Sequence, residues 1–489
     1  MRTTAELLVP RISWHPTEGF APAADFVARA LEVGVGGFVL DGGDLDAVRT
    51  WVREVRRRSR VPLLIGAEGA RGAGQTFGGA TGLPPLAALG MLDDEDAVRR
   101  AARLVAREVR TVGVNWLLAP TADLDLSPGS PVIGTRAFGR DAERVSRLVA
   151  DWVLACQAEG VLACARHFPG IGRVTEHPEA GEAEVTASEA QLQSVDLVPF
   201  TSAIAAGVAA LLVGHVGVRA LDPSGDPADA SRVIVEEYLR GELQFEGLVV
   251  STVVENARVR REIGEARAAV RAAAAGADLL VGASDLTATV EALDAAIADG
   301  KLDPDLVERA RRRRRKWAQW ATPPSDFLRP AAADIAWGAT LADRALVLSR
   351  GTDVAVRAPM DIVVVRDGVY ADQPAAGSAL FDALRAAGIS ARDVPRPIPG
   401  GRGTVVVALF GGDDTDAAGP RHGAAALKAV GAAAEAAKQM QRPVLLVQFA
   451  HPRLAAGMPG DAPTLSAWSG DAAMQQAVAR WLAARRRTA

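Results

Sequence analysis

The sequence contains little cysteine, little lysine and no long apolar stretch. Its 489 residues include two cysteines, Cys156 and Cys164, which are too few for a disulfide framework or a cysteine-rich zinc site. Only four of the 55 lysine and arginine residues are lysines, a bias that we attribute to genome composition. No apolar run reaches the roughly 18 residues that a membrane-spanning helix needs. These absences exclude a small disulfide-rich protein and predict that no helix of the chain crosses a membrane.

An excess of positive charge is also absent. The 55 basic residues are offset by 59 acidic ones, which gives a net charge of −4 and a pI of about 6.0. Nucleic-acid binding is not expected without a basic field, and we interpret the basic run Arg309–Lys316 as a solvated helix end. The start, MRTTAELLVPRISWHP, lacks the basic, apolar and small-residue regions of a signal peptide. We therefore expect a cytoplasmic protein with no nucleic-acid or membrane partner.

The first two-thirds of the chain repeats one pattern. A short, continuously apolar run is followed by polar or glycine-rich punctuation and then by a stretch with helical spacing. Runs that are apolar on both faces are typical of parallel strands covered by helices. Eight such units predict a TIM-like (β/α)8 barrel, with a doubly wound sheet as the alternative. The runs are LLVP (7–10), GGFVL (36–40), PLLIGAE (62–68), NWLLAP (115–120), VLACARHF (161–168), ALLVGHV (210–216), GLVVST (247–252) and ADLLVGA (277–283).

Polar residues follow most of these runs. In a barrel of this type the active site lies at the C-terminal ends of the strands. Each residue alone could instead satisfy a backbone group or cap the next helix, but the whole set favours a shared site. The residues are Asp41, Glu68, Asp123, His167, His215, Thr252 and Asp285.

A second, smaller α/β domain is predicted after the barrel. Residues 308–338 combine a basic run, a Pro-Pro pair and tryptophans, which indicates a closing helix and a linker. Four further apolar runs then alternate with helical stretches, at 361–368, 404–412, 443–450 and 464–470. We predict a barrel domain at 1–322, a linker at 323–344 and an αβα sandwich at 345–489.

Two loops carry most of the candidate binding groups. Residues 115–139 include Asp123 and Arg136, which could hold a hydroxyl-rich or carboxylate ligand through the donor fork of the arginine or could form a salt bridge that only folds the loop. Arg166 and His167 end the fifth run, and His167 could equally be a buried histidine bonded to a backbone carbonyl. Long loops in compact domains are usually functional, which favours a binding site.

No metal or cofactor is expected. The spacing of His167, His177 and His215 matches no zinc motif. The glycine-rich segments at 72–74 and 400–403 match neither the P-loop nor the dinucleotide-binding pattern.

The order of these motifs resembles glycoside hydrolase family 3, most closely its bacterial β-N-acetylglucosaminidase branch. Residues 113–139 are similar to the family's Asn-Leu-Ala-Pro…Asp…Asn-Pro-Val-Ile-Gly-x-Arg-Ser-Phe-Gly signature. Residues 166–172 are similar to its Lys-His-Phe-Pro-Gly-His-Gly, and 212–221 to its Ala-His-Val…Ala-Leu. Residues 245–252 are similar to Phe-Asp-Gly-Leu-Val-Val-Ser/Thr-Asp. The resemblance implies a barrel followed by an α/β sandwich and a retaining double displacement by two carboxyl groups.

The resemblance also shows where this chain departs from the family. The position of the family's nucleophilic aspartate is Thr252, whose hydroxyl carries no charge and is a poor nucleophile without a paired base. His177 and Glu179 stand near the positions of the family's Asp-His acid/base pair, so neither residue type is retained in place. The family's Asp-x-Glu becomes Glu68-Gly69-Ala70, and its lysine becomes Arg166.

The resemblance therefore implies a family 3-type hydrolase of β-linked sugars, such as N-acetylglucosaminides, with an altered catalytic centre. A pseudo-glycosidase that binds a sugar or a protein through the same pocket is the alternative. Glu255 could supply a carboxylate near Thr252, and Glu68, Glu176, His177 or Glu179 could act as the acid/base. The implied ligand is a carbohydrate, contacted by Glu68, Asp123, Arg136, Arg166, His167 and His215.

Overall fold

A computed structural model gives the fold as two compact units. It describes residues 3–130, 132–321, 326–351, 354–371, 373, 375–412 and 421–486. The first unit comprises Met1–Thr81, Asp94–Ser127 and Ala137–Ala331. The second comprises Gly82–Asp93, Pro128–Arg136 and Ala332–Ala489.

The first unit is built on a closed parallel sheet. Its strands pair in the order β1-β9-β8-β7-β6-β5-β4-β3-β2, all of them parallel. The eight predicted runs and the TIM-like barrel are confirmed, and the doubly wound alternative is wrong. The strands are β1 (Leu8–Val9), β2 (Arg11–Ser13), β3 (Gly37–Asp41), β4 (Leu64–Ala67), β5 (Trp116–Leu117), β6 (Leu162–Phe168), β7 (Ala210–Val213), β8 (Leu248–Ser251) and β9 (Leu279–Val281).

The barrel closes through a first strand that Pro10 divides into β1 and β2. The carbonyl of Val9 accepts a hydrogen bond from the Gly282 amide on one side, and the carbonyl of Pro10 accepts one from Val39 on the other. Proline has no amide hydrogen to donate, so the hydrogen-bond ladder is interrupted at Pro10. The segment nevertheless remains paired with the strand on each side of it. The two short strands therefore act together as the first of eight barrel strands.

The described chain contains fifteen α-helices. Aspartates that accept a hydrogen bond from the backbone of the first turn cap several of them, including Asp44, Asp94, Asp141 and Asp285. A π-helical turn at Leu192–Asp196 separates the two short helices that lie between β6 and β7. A longer π-helix spans Val233–Glu242. The α-helices are α1 (Ala24–Val33), α2 (Leu45–Arg58), α3 (Leu86–Met91), α4 (Glu95–Thr111), α5 (Ala142–Ala158), α6 (Glu189–Gln191), α7 (Val198–Ala205), α8 (Ala257–Glu262), α9 (Glu265–Ala275), α10 (Leu286–Ala298), α11 (Pro304–Trp320), α12 (Ala332–Ala345), α13 (Ser378–Ala386), α14 (Ala424–Gln439) and α15 (Ala472–Ala484).

The barrel interior explains why the strand runs are continuously apolar. Alternate strand residues fill the interior, among them Val9, Leu64, Trp116 and Leu212, all of which are buried. Their neighbours in sequence point outward and are buried under the surrounding helices. A strand with two apolar faces therefore fits between the barrel interior and the surrounding layer of helices.

The expected solvated helix end at Arg309–Lys316 is wrong in part. Arg314 is fully buried and donates hydrogen bonds to the fully buried carboxylate of Glu6 and to the carbonyl of Pro62. Arg311 and Arg315 lie on the same face of α11 and also donate to Glu6. The charge of this segment predicted a solvent-exposed run. Instead, the buried carboxylate of Glu6 pairs with three of its arginines and holds them against the barrel.

Acid should weaken the first unit as Glu6 becomes protonated. Burial raises the pKa of Glu6, but hydrogen bonds from Arg315, Arg314 and Arg311 outweigh it and lower the pKa from 4.5 to about 2. Such a carboxyl stabilises the fold fully above its unfolded pKa and loses that contribution as the pH falls through the folded value. We expect the urea midpoint to fall between about pH 4.5 and pH 2. Glu6→Gln should show a flatter profile, and two parallel profiles would contradict the assignment.

The second unit is a sandwich around a six-stranded sheet. Its strand order is β10-β15-β14-β13-β11-β12, with β10 antiparallel to β15 and the other pairs parallel. Helices α12, α13 and α15 pack on one face of the sheet, and α14 packs on the other. The strands are β10 (Val347–Ser349), β11 (Met360–Arg366), β12 (Ala391–Asp393), β13 (Val405–Phe410), β14 (Val444–Phe449) and β15 (Thr464–Ser466).

The predicted sandwich is confirmed, whereas the domain boundaries stay predictions. The four predicted apolar runs each contain a strand, and the two strands not predicted, β10 and β12, have three residues each. Helix α12 occupies part of the predicted linker and belongs to the second unit.

Candidate functional site

Asp123 and His167 form a buried pair at the C-terminal ends of the barrel strands. Asp123 follows β5 and is fully buried. One of its carboxylate oxygens accepts hydrogen bonds from the amide of His167 (2.9 Å) and from the ring Nδ1 of His167 (2.8 Å), and the other accepts from the Ile171 amide (2.8 Å). The carboxylate therefore fixes both the loop after β6 and the orientation of the imidazole. The sequence left open a bond from the His167 ring to a backbone carbonyl, and the structure shows its Nδ1 bonded to this carboxylate.

Glu68 and Arg166 form a second pair beside the first. Glu68 follows β4, and its two oxygens accept from the two terminal nitrogens of Arg166, both at 2.8 Å. Arg166 lies near the C-terminal end of β6, next to His167, and is 6% exposed. Its Nε is buried without a hydrogen-bond partner among the described residues. A fork-to-fork ion pair of this kind presents fixed charges with a defined geometry.

Arg11 joins two further carboxylates of the strand ends. It lies on β2, donates to Asp41 at 2.9 Å and forms an ion pair with Glu255. Burial raises the pKa of Glu255, an effect that Arg11 opposes and that nearby Asp41 and Glu68 reinforce. Burial likewise raises the pKa of Asp41. Sequence reasoning singled out both carboxyl groups but not Arg11, whose signal was a charged residue within the first apolar strand.

Thr252 stands directly after β8 and is partly exposed. Its carbonyl accepts a hydrogen bond from the Glu255 amide at 2.9 Å, which forms a single 3-10 turn. The turn directs the carboxylate of Glu255 to Arg11. The carboxyl group near Thr252 is therefore already neutralised by an arginine.

His215 follows β7 and is oriented by a carboxylate that the sequence did not reveal. Its Nδ1 lies 2.8 Å from Oδ1 of Asp229, a residue that is 1% exposed. The hydroxyl of Ser251, the last residue of β8, donates to the other oxygen of Asp229 at 3.0 Å. Asp229 lies in the short 3-10 helix Ala228–Ala230, which has no recognisable motif, so only the folded chain brings these three residues together.

Each of the other candidate residues makes a local contact. His177 and Glu179 belong to a surface turn, in which the Glu179 amide donates to Nδ1 of His177 at 3.2 Å. Arg136 donates to the carbonyl of Val132 in a segment that belongs to the second unit. Asp285 caps α10. The catalytic and binding roles expected of these residues stay predictions.

The described residues contain neither a metal-binding cluster nor a helix that could span a membrane. No group of three or more histidine, cysteine, aspartate or glutamate side chains among them is placed to hold a metal ion. No helix in the described part of the chain has both the length and the apolar character needed to cross a bilayer.

Comparison with known proteins links this fold to a family of glycosidases. The model of the glycosyl hydrolase family 3 N-terminal domain matches residues 6–315. A β-N-acetylglucosaminidase/β-glucosidase of Cellulomonas fimi is 36% identical over 295 residues, which are 58% of this chain and 52% of that protein. The matching region thus spans about half the length of that relative. A β-hexosaminidase of Idiomarina loihiensis is 30% identical over 282 residues, which are 56% of this chain and 83% of that protein.

A solved structure shares the architecture of the whole chain. The family 3 β-N-acetylglucosaminidase from Paenibacillus sp. str. FPU-7 matches with a TM-score of 0.82 at 25% sequence identity, over 99% of this chain and 96% of that one. Together with the family match over most of the barrel, this likeness settles the classification. The chain belongs to glycosyl hydrolase family 3.

Proposed function

We propose that the protein binds β-linked glycosides of the N-acetylhexosaminide type and hydrolyses them without the family's two-carboxylate retaining route. This proposal rests on the side chains at the C-terminal ends of the barrel strands. Arg166 with Glu68 and His167 with Asp123 supply fixed polar groups for a sugar, while position 252 supplies no carboxylate. The relatives named for β-N-acetylglucosaminide and β-hexosaminide hydrolysis support the choice of sugar.

A sugar-binding protein without hydrolysis is the second candidate. It is favoured by the pairing of the remaining carboxylates, since Glu255 and Asp41 face Arg11 and Glu68 faces Arg166. An arginine beside each of these carboxylates offsets its negative charge, which leaves less of that charge to stabilise a positive anomeric carbon. A cytoplasmic location belongs to the same proposal.

A panel of 4-nitrophenyl β-glycosides distinguishes the two candidates. We expect slow release of 4-nitrophenol from the N-acetyl-β-glucosaminide, above both buffer and a Glu68→Ala variant. N-Acetylglucosamine should also raise the thermal unfolding temperature, because a ligand that binds only the folded state stabilises it. Stabilisation without release would establish the second candidate. Neither stabilisation nor release by any sugar in the panel would contradict both.

Removal of Arg166 should weaken sugar binding at least tenfold. A hydrogen bond to a charged group contributes about 1.5–3 kcal/mol, and about 1.4 kcal/mol corresponds to a factor of ten in affinity. The measurement is the dissociation constant of N-acetylglucosamine for Arg166→Ala, together with its unfolding temperature without sugar. Arg329→Ala is the control, because Arg329 is 70% exposed and lies on the surface. Equal affinity in the folded Arg166 variant and the control would refute this role.

A further inference from the structure

We propose that His215, oriented by Asp229, is the general base that activates a water molecule for direct attack on the anomeric carbon. The inference rests on the proposed function and names the group that replaces the missing nucleophile. It also predicts the stereochemistry, because a single displacement by water inverts the anomeric configuration.

The contact with Asp229 sets the protonation pattern of the imidazole. A carboxylate at 2.8 Å from Nδ1 accepts a hydrogen bond from it, so Nδ1 carries the hydrogen and Nε2 carries the lone pair. Asp229 is itself held by the Ser251 hydroxyl at 3.0 Å and is buried. A base oriented by a third, buried group is the arrangement that activates nucleophiles in other hydrolytic sites.

The position of His215 in the barrel places this base beside the substituted position. Val213 and Ser251 are register partners on the adjacent parallel strands β7 and β8. His215 lies two residues beyond Val213, and Thr252 lies one residue beyond Ser251. Both therefore stand at the same end of two neighbouring strands, and Asp229 links the two strand ends directly.

A cavity gives water access to this base. It has a volume of about 290 Å³, and its lining includes both His215 and Val253, the residue after Thr252. The His215 side chain is 13% exposed, and its Nδ1 edge is occupied by Asp229. Because Nδ1 is bonded to Asp229, Nε2 is the ring nitrogen that a water molecule in this cavity would use. In single-displacement glycosidases the base is set back from the sugar so that a water molecule fits between them.

The reaction balances without a covalent sugar–protein intermediate. The water oxygen forms a bond to the anomeric carbon, and one water proton moves to Nε2 of His215. The bond from the anomeric carbon to the leaving oxygen breaks with its electron pair on that oxygen. An aryl leaving group departs as a phenolate and needs no proton, and the proton on His215 then passes to solvent.

The test compares the wild type with two variants of the pair on 4-nitrophenyl N-acetyl-β-D-glucosaminide. General-base groups contribute about 10²–10⁴-fold, so His215→Ala should lower kcat by about 100-fold or more while KM changes little. Asp229→Asn should lower kcat with the fold intact, because an amide no longer selects the required tautomer. Added imidazole should restore part of the rate to His215→Ala, but none to Asp229→Asn, in which the ring is still present.

Matched controls separate this role from a structural one. His15→Ala and Asp46→Asn change side chains that are 49% and 60% exposed and should leave kcat unchanged. His215→Gln keeps a polar side chain of similar size, so it reports on function if the alanine variant unfolds.

Each outcome decides the proposal. A first-formed α-anomer, loss of rate in the His215 variants and recovery with imidazole support it. A β-anomer, or His215 variants as fast as the wild type, would overturn it. If the wild type releases no 4-nitrophenol but N-acetylglucosamine still stabilises it, the role of His215 is wrong while sugar binding stands. Absence of both would refute the proposed function itself.

Discussion

Replacing Thr252 by aspartate is expected to convert a protein that a fluorinated glycoside does not label into one that it labels covalently. Aspartate would place a carboxylate directly after β8, where the family resemblance locates the nucleophile and where Thr252 is partly exposed. A retaining glycosidase requires two carboxyl groups about 5–5.5 Å apart, one of which bonds to the sugar. We expect only a small gain in turnover, confined to good leaving groups, because the positions around His177 that resemble the family's acid/base pair have also changed.

The labelling is measured by intact-protein mass after incubation with an activated 5-fluoro N-acetyl-β-glucosaminyl fluoride. Thr252→Asp should gain the mass of one sugar, whereas the wild type and the uncharged isostere Thr252→Asn should gain none. Labelling of the wild type that persists in Thr252→Ala would show that another residue is the nucleophile. Glu255 would then be the first residue to map, despite its ion pair with Arg11.

Removal of the Glu6 carboxylate should cost about 3–5 kcal/mol of unfolding free energy, the usual result of leaving a buried charge without its partner. Glu6 is fully buried and receives hydrogen bonds from Arg311, Arg314 and Arg315. Arg314 is also fully buried, so in Glu6→Ala its charge would remain in the interior without a counter-ion. The side chain could not reach water, because α11 packs against the 3-10 helix Thr3–Leu7 that carries residue 6.

Urea denaturation of Glu6→Ala monitors this loss directly. Asp46→Ala is the matched control, since it removes an exposed carboxylate that pairs with the exposed Arg329. Exposed ion pairs contribute about 0–1 kcal/mol, so the control should unfold close to the wild type. A loss below about 1 kcal/mol in Glu6→Ala would show that the arginines find other partners.

The barrel was predictable from sequence because its signal is local. Each strand run is apolar on both faces, and each ends at a polar residue such as Glu68 or His167. Strand β5 has only two residues, yet the run around it is unmistakable because the interior requires Trp116 and Leu118 to be apolar. The strand register and the closure of the barrel could not be predicted from local patterns. They depend on which distant strands pair with Val9 and Pro10, where the first strand is divided.

The candidate site was predictable only in part, because some of the residues that contact its strand-end side chains come from distant segments of the chain. The strand-end residues Glu68, Asp123, Arg166 and His167 carry motif signals, and the fold pairs them with one another. Arg11 and Asp229 carry none, since a lone charge in a short strand or a short 3-10 helix has many ordinary explanations. Their roles follow from contacts with residues 244 and 14 positions away, which no local pattern encodes.

The stereochemistry of hydrolysis by the wild type tests most directly whether the retaining route has been lost. Proton NMR, recorded before mutarotation, identifies the first anomer of N-acetylglucosamine released from 4-nitrophenyl N-acetyl-β-D-glucosaminide. Attack by water activated at His215 gives the α-anomer, because one displacement inverts the anomeric carbon. Release of the β-anomer would show two successive displacements through a nucleophile of the protein, and would contradict the conclusion that Thr252 has abolished that route.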